Sequence, residues 1–544
     1  MNNIVLERET KTISEVAFEF NVSEATVRNW IKAKLLLPSE NKRITQDSID
    51  YLTENIIGKK RLNSRANKRQ KDTHNHNLLS SEIQNKITEK TGLEKIGEEY
   101  ENSLSDSYKN KEGIYYTPDF IVKDMMKDFD ENLSNKTFLD PCCGSGNFIL
   151  EAIRKGFKPE NIFGFDTDKN AIEITKKRIF EETGYISENI VTVDFLEKSV
   201  TEKQKFDYIF TNPPWGKKIS KEEKQKYSKI FGVGKSTDTA SLFFLASLPR
   251  LKTNGKMGFL LPDSFFNISI FEDVRKKILE YQIDRLIDYK KPFKGLLTKA
   301  QAVVLTNSKT TENHLVACEF DNKTGKRNQN SFTENPKSIL NFWTDNNEFE
   351  IIKYIYNLPH TTLKNKAVFG LGIVTGNNKT ICKSEPKKGL IPVYKGSDIS
   401  KNGLKNPTNF IEKDLQKYQQ TAPEHLYKSE EKLIYKFISN ELCFYCDTQQ
   451  RYILNSANLL ILNDDFPIKA TELTQLLNSD FMTWLFRQLF ATHKVLKCDL
   501  QHLPIHFGYF EKYRNFTEDN FLDYLRIEKS NGTYVLKNKW KTKS

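Results

Sequence analysis

A chain of 544 residues, 38% hydrophobic and 28% charged, has room for several domains with sizeable cores. It has no run of about 18 apolar residues, which excludes a helical membrane span. Its start, Met1–Lys11, lacks the basic-then-apolar pattern of a secretory leader. Seven scattered cysteines form no disulfide framework and fit a reducing cytoplasm, and a net charge of +12 is compatible with a polyanionic partner.

Residues 1–55 read as a small helical domain. Ile13–Phe20, a tight turn at Asn21–Ser23 and Glu24–Lys34 have the form helix, turn, helix. Val16, Ala17, Phe20, Val22, Val27 and Ile31 make a common core, and Thr26, Arg28, Asn29 and Lys32 face outward. Residues 56–105 begin with a polar, basic stretch at Gly58–Lys71 that reads as a linker, followed by a helical pattern over Leu78–Leu104. Across 106–310, short apolar runs alternate with amphipathic stretches, which predicts a doubly wound α/β sheet. From 320 to 510 the pattern loosens into a mixed α+β region, and 511–544 reads as a tail.

The first strong signal is Asp140–Phe148, DPCCGSGNF, set between the apolar run TFLD and an amphipathic helix. Strand, glycine-rich turn and helix in that order build a nucleotide-type pocket, with Gly144 and Gly146 letting the backbone approach a ligand. A second strand ends in Asp166, where ribose hydroxyls would be gripped, and a third ends in Asp194-Phe195, suited to an adenine ring. The dinucleotide fingerprint is absent, because no third glycine follows Gly146.

The second signal is Asn212-Pro213-Pro214-Trp215, directly after the run FDYIFT. Together, D-P-x-x-G-x-G-x-F and a downstream N-P-P-aromatic resemble the S-adenosylmethionine-dependent methyltransferases that act on the amino group of DNA adenine. The resemblance covers Tyr116 to about Leu305. It implies a Rossmann-like core with Thr117, Asp140 and the Gly144–Gly146 turn at the methionine end of the cofactor, Asp166 at the ribose, and Asp194 with Phe195 at the adenine. It also implies a target-base clamp. An exocyclic adenine nitrogen is a poor nucleophile because its lone pair is delocalised. Acceptors from Asn212 and the Pro213 carbonyl would localise that pair, and consecutive prolines hold both in place. Trp215 stands where Tyr or Phe is commoner and would stack on a base removed from the duplex, with Phe293 on its other face.

Residues 350–510 resemble the carboxy-terminal recognition domain of TaqI-like enzymes, in FGLGIVTGNNKTI, PVYKGSDI, LNSANLLIL and ATHKVLKCDLQHLPI. Asn377, Asn378, Lys379, Lys395 and Lys494 are the polar groups there suited to phosphates and base edges. The amino-terminal helices resemble a MerR-like helix-turn-helix, with Arg28 and Asn29 on the groove-facing side. The expected partner is double-stranded DNA, alongside a separate restriction endonuclease. No metal is expected: Cys443-x-x-Cys446 reads as core strand rather than zinc ligands. FGVGKST at 231–237 lacks the first glycine of a phosphate loop. Methylation of RNA or of a protein glutamine, and a non-catalytic DNA-binding regulator, stand as alternatives.

Overall fold

The computed structural model describes residues 10–20, 24–32, 36–38, 43–55, 93–104, 113, 115–217, 219–234, 236–293, 296, 298–530 and 532–537. Internal packing divides the chain into two units: 1–232 with 237–261 and 292–296, and 233–236 with 262–291 and 297–544.

In the amino-terminal module, strands β1 (Thr10–Lys11) and β2 (Ile44–Thr45) pair antiparallel beside helices α1 (Ile13–Glu19), α2 (Glu24–Lys32) and α3 (Gln46–Asn55). Val16, Phe20, Val27, Trp30, Ile49 and Leu52 form its core. Trp30, one turn beyond Val27, is buried with it on α2, while Ile31 packs at the margin. Val22 and the turn it belongs to lie outside the described residues, as does the basic stretch at 58–71. Arg28 is exposed and paired with Glu24 at 2.9 Å, one turn earlier; the side chain of Asn29 is outside the described residues.

The rest of the first unit runs α4 (Leu93–Ser103), α5 (Asp119–Met125), β3 (Phe138–Asp140), α6 (Asn147–Arg154), β4 (Ile162–Asp166), α7 (Lys169–Thr183), β5 (Ile190–Thr192), α8 (Phe195–Thr201), β6 (Phe206–Thr211), α9 (Lys221–Phe231), α10 (Thr239–Ser247) and β7 (Leu251–Pro262). Strands β3 to β7 are parallel, in the order β7-β6-β3-β4-β5. Their near-continuous apolar sequences are those of strands buried on both faces, and α10 is buried along its whole length. The chain winds outward from β3 through β4 and β5, then returns to lay β6 on the other side of β3. That reversal opens a crevice beyond the carboxyl ends of β3 and β6.

In the second unit, β8 (Gln282–Asp288) pairs antiparallel with β9 (Ala300–Thr306) and parallel with β10 (Leu315–Phe320), which forms a hairpin with β11 (Lys323–Asn328). Further on, Ala367–Leu371, Ala457–Leu462, Lys432–Lys436 and Phe444–Asp447 make an antiparallel four-stranded sheet. Asn409–Glu412, Leu390–Tyr394 and Tyr452–Ile453 make a three-stranded one. Lys432 is fully buried yet satisfied: its ammonium meets Asp447 at 2.6 Å, and Asp447 also holds Arg451 at 2.6 Å. The reading of 511–544 as a tail is corrected. Phe521, Leu525, Ile527 and Tyr534 enter the main core of this unit through a helix, Glu518–Leu525, and a hairpin.

Candidate active site

The ends of β3 and β4 each supply one polar anchor. Asp140 closes β3 and is 1% exposed; its Oδ1 accepts from the Thr211 hydroxyl of β6 at 2.6 Å and from the Cys142 N–H at 3.2 Å. Burial outweighs those bonds and pushes its pKa up to about 7. Asp166 closes β4 and accepts from the N–H of Gly144 at 2.9 Å and of Asp168 at 2.9 Å; burial raises its pKa too. The bond from Gly144 pins the glycine-rich turn to the neighbouring strand. Gly146, at φ +90°, starts α6, and a Cβ there would lie 2.7 Å from a Thr175 methyl.

Asp194, expected at the adenine, also caps α8: its Oδ1 accepts from Leu196 N–H at 2.8 Å. Phe195 is buried, stacked near Phe165 at 6.1 Å and tilted against Phe243 at 5.8 Å.

Two adjoining cavities follow these strand ends and share Tyr115, Cys142, Gly144, Asp166, Asp168 and Asn212, so they form one cleft. One reaches Thr117, Asp140 and Asn147; the other reaches Asp194, Phe195, Pro214 and Phe243. Both lie wholly within the first unit. Helix α4 closes the first cavity through Gly97 and Tyr100, whose hydroxyl donates to Asp168. Burial holds the Cys142 and Cys143 thiols far above their ordinary pKa, so neither is a ready nucleophile.

The N-P-P-W loop leaves β6 beside this cleft. The Asn212 side chain is oriented: Nδ2 donates to Thr117 Oγ1 at 3.0 Å and to the Tyr115 carbonyl at 3.2 Å, while Oδ1 is buried without a partner among the described residues. Pro213 is buried. Trp215 donates from Nε1 to the Leu260 carbonyl at 3.2 Å, and its backbone N–H meets the Gly113 carbonyl at 3.3 Å. Gly113 has φ +72°, and a Cβ there would fall 2.6 Å from the Trp215 backbone, so only glycine passes.

The pairing expected of Trp215 and Phe293 is corrected in one respect. The two rings are not spread around an empty slot but touch edge to face, centroids 5.4 Å apart at 87°, each 8% exposed. Tyr115 joins them, 6.1 Å from Trp215 and 5.6 Å from Phe293. A base held between parallel faces needs roughly twice the stacking distance of about 3.5 Å, so this geometry offers no ready-made sandwich.

In the second unit, Lys379 and Lys494 are exposed and Lys395 is half-buried. Asn377 spends its side-chain carbonyl on the N–H of Lys379 at 3.1 Å, and Asn378 accepts from Thr375 at 2.5 Å. Both therefore brace their own loop. Tyr115, Asp168 and Tyr100 escape the sequence reading. Asp168 stands two residues after Asp166, and Tyr115 directly precedes Tyr116-Thr-Pro118, so each was adjacent to a residue already singled out.

Comparison with known proteins decides the family. The N-6 DNA Methylase family model matches residues 92–359, and the TaqI-like C-terminal specificity domain matches 391–505. Type II methyltransferase M.VspI from Vibrio sp. (strain 343) is 46% identical over 396 residues, covering 73% of this chain and 97% of that protein. The chain belongs to the N-6 DNA methylases. It is a site-specific DNA methyltransferase with a TaqI-like specificity domain. Modification methylase CviBIII of Paramecium bursaria Chlorella virus NC1A is 28% identical over 218 residues, 39% of this chain and 54% of that one. The fold is shared with the Type IIL restriction-modification enzyme MmeI, solved in complex with DNA (TM-score 0.50, 12% identity, 78% of this chain and 74% of that one). Among the described residues, no helix is long and apolar enough to cross a membrane, and no cluster of His, Cys, Asp or Glu is set to hold a metal.

Proposed function

We propose that this N-6 methylase transfers a methyl group from S-adenosylmethionine to N6 of an adenine turned out of duplex DNA. We further propose that it is the modification member of a restriction–modification system, working in the cytoplasm beside a separately encoded endonuclease. Kinship with the type II methyltransferase M.VspI supports the second part.

The observation that carries the first part is the Asn212 amide. Among the described residues its Oδ1 is a buried acceptor with no partner beside the cleft, while its Nδ2 is held by two acceptors. A buried carbonyl left unpaired costs about 1–3 kcal/mol, and an amino group delivered to it recovers that energy. With the Pro213 carbonyl, two acceptors would draw the two N–H bonds of the base out of the ring plane and localise the nitrogen lone pair. The proline pair keeps them from rearranging as charge develops. No strong base is needed at this point, because the nitrogen becomes acidic as it is alkylated.

The cleft fits the cofactor. Asp140 and Asp166 suit a cationic ammonium and a ribose diol, and Phe195 with Phe243 offers an apolar cradle for a flat ring. When bound, the cofactor supplies an electrophilic methyl on a sulfonium. The test is incubation of the protein with labelled cofactor and plasmid DNA, followed by nucleoside analysis. Label in N6-methyladenine is expected; label in N4-methylcytosine, in RNA or in a protein glutamine would overturn the assignment.

A further inference from the structure

We infer that Arg178, set behind the wall of the cleft, is the cation that admits the carboxylate of the cofactor's methionine end and so makes the cleft favour a zwitterionic tail. This rests on the methyltransferase reading above. The methionine tail carries an ammonium and a carboxylate on one carbon, so both charges must enter the same cavity. The cavity that reaches Asp140 is lined by three carboxylates, Asp140, Asp166 and Asp168, and among the described residues by no Lys, Arg or His. Such a lining suits the ammonium and the sulfonium. It repels a carboxylate unless a positive charge stands close by.

Arg178 is that charge. It lies on α7, is 7% exposed, and stays protonated although burial pulls its pKa down. Its guanidinium donates to the Ser145 carbonyl at 2.5 Å and to Asn147 Oδ1 at 2.9 Å, and both of these residues line the cavity. Both acceptors are neutral. Asp119 acts on the guanidinium through space, but it is exposed, so water and salt screen it. A buried cation with neutral acceptors is uncompensated, and an anion brought to the far side of those acceptors offsets it. Asn147 also donates from Nδ2 to the Thr117 carbonyl at 2.8 Å, so Arg178 braces the cavity wall as well as charging it. The two roles separate on a ligand that lacks only the carboxylate.

Calorimetry compares S-adenosylmethionine with its decarboxylated form, which keeps the ammonium and the sulfonium, on wild type, Arg178→Gln and Arg178→Lys. Gln keeps a donor for Ser145 and Asn147 but removes the charge; Lys keeps the charge. Arg178→Gln is expected to weaken S-adenosylmethionine about tenfold and the decarboxylated form less than about twofold, the order expected of one charge acting through an intervening residue. Arg178→Lys should keep most of the wild-type preference. The inference is overturned if Gln weakens both ligands alike, as the loss of a structural brace would. It is equally overturned if Gln weakens neither, or if Lys does no better than Gln. Should Arg178→Gln fail to fold, Arg178→Met carries the same comparison. The wild-type protein must also bind S-adenosylmethionine at least as tightly as the decarboxylated form, because three carboxylates alone would favour the more cationic ligand. The reverse order overturns the inference whatever the variants do. A wild-type protein that binds neither ligand would refute the proposed function instead.

Discussion

Two asparagine-bearing loops sit in the two units and treat their amides in opposite ways. Asn212, at the end of β6, gives its nitrogen to the protein and keeps its oxygen for a visitor. Asn377 and Asn378, in the loop after Ala367–Leu371, spend their oxygens on their own backbone and on Thr375. The first loop is prearranged for one chemistry, since a single atom has to meet a single nitrogen. The second is built to hold a shape, and the groups it presents depend on how that shape meets DNA. A catalytic loop can therefore be judged from its free atoms, whereas a recognition loop cannot.

That contrast is sharpest at Asn212 itself. Asn212→Ala should lower single-turnover methylation by about 10²–10³, the usual effect of removing a preorganised hydrogen-bonding group. Cofactor affinity, titrated by calorimetry, should hardly move. Near-normal turnover would place the clamp elsewhere. Phe293 comes next. If its ring leaves Trp215 to stack on the extruded base, Phe293→Ala should weaken binding of target duplex roughly tenfold or more, in line with about 1–3 kcal/mol per stacked base. Unchanged binding would leave Phe293 as a packing partner of Trp215 and nothing more.

Asp140 carries a pH signature of its own. Its pKa is raised to about 7 against an ordinary 3.8, so folding favours its protonated form. Its contribution to stability is greatest in acid and is lost as pH climbs from about 4 towards 7. The cofactor's ammonium wants the ionised form, so affinity should rise up to about tenfold between pH 6 and 8, with Asp140→Asn removing the dependence. Calorimetry across that range would expose a flat profile if Asp140 faces no cation. The smallest effect belongs to the exposed lysines. Lys494→Ala and Lys379→Ala should each reduce the salt slope of DNA binding by about one if each meets a phosphate. An unaltered slope would move the phosphate contacts off these loops.

The same contrast explains what could be read from the sequence. The glycine-rich turn and Asn212–Trp215 are contiguous, and their chemistry depends on backbone rigidity that Gly and Pro announce directly. The alternation of apolar runs likewise gave away the parallel sheet. Asp168 and Tyr100 could not be read this way, because their part in the cleft comes from a bond between residues far apart in the chain. Phe293 was named, but its contact with Trp215 depends on how two loops pack, which spacing does not encode. The stretch after 511 was read as a tail, yet each of Phe521, Leu525 and Tyr534 finds a place in the core.

The bond between Asp140 and Thr211 has a mechanical consequence. It ties the ends of β3 and β6 together across the crevice, and Asp166 ties the glycine turn to β4 in the same way. The floor of the cleft is therefore stiff, and a ligand that fills it cannot gain entry by prying the strands apart. Compliance has to come from the rim. There α4 rests on the cleft through the close approach of Gly97 to Ser145 and the Tyr100 hydroxyl on Asp168, contacts that can be released without disturbing a single strand of the sheet.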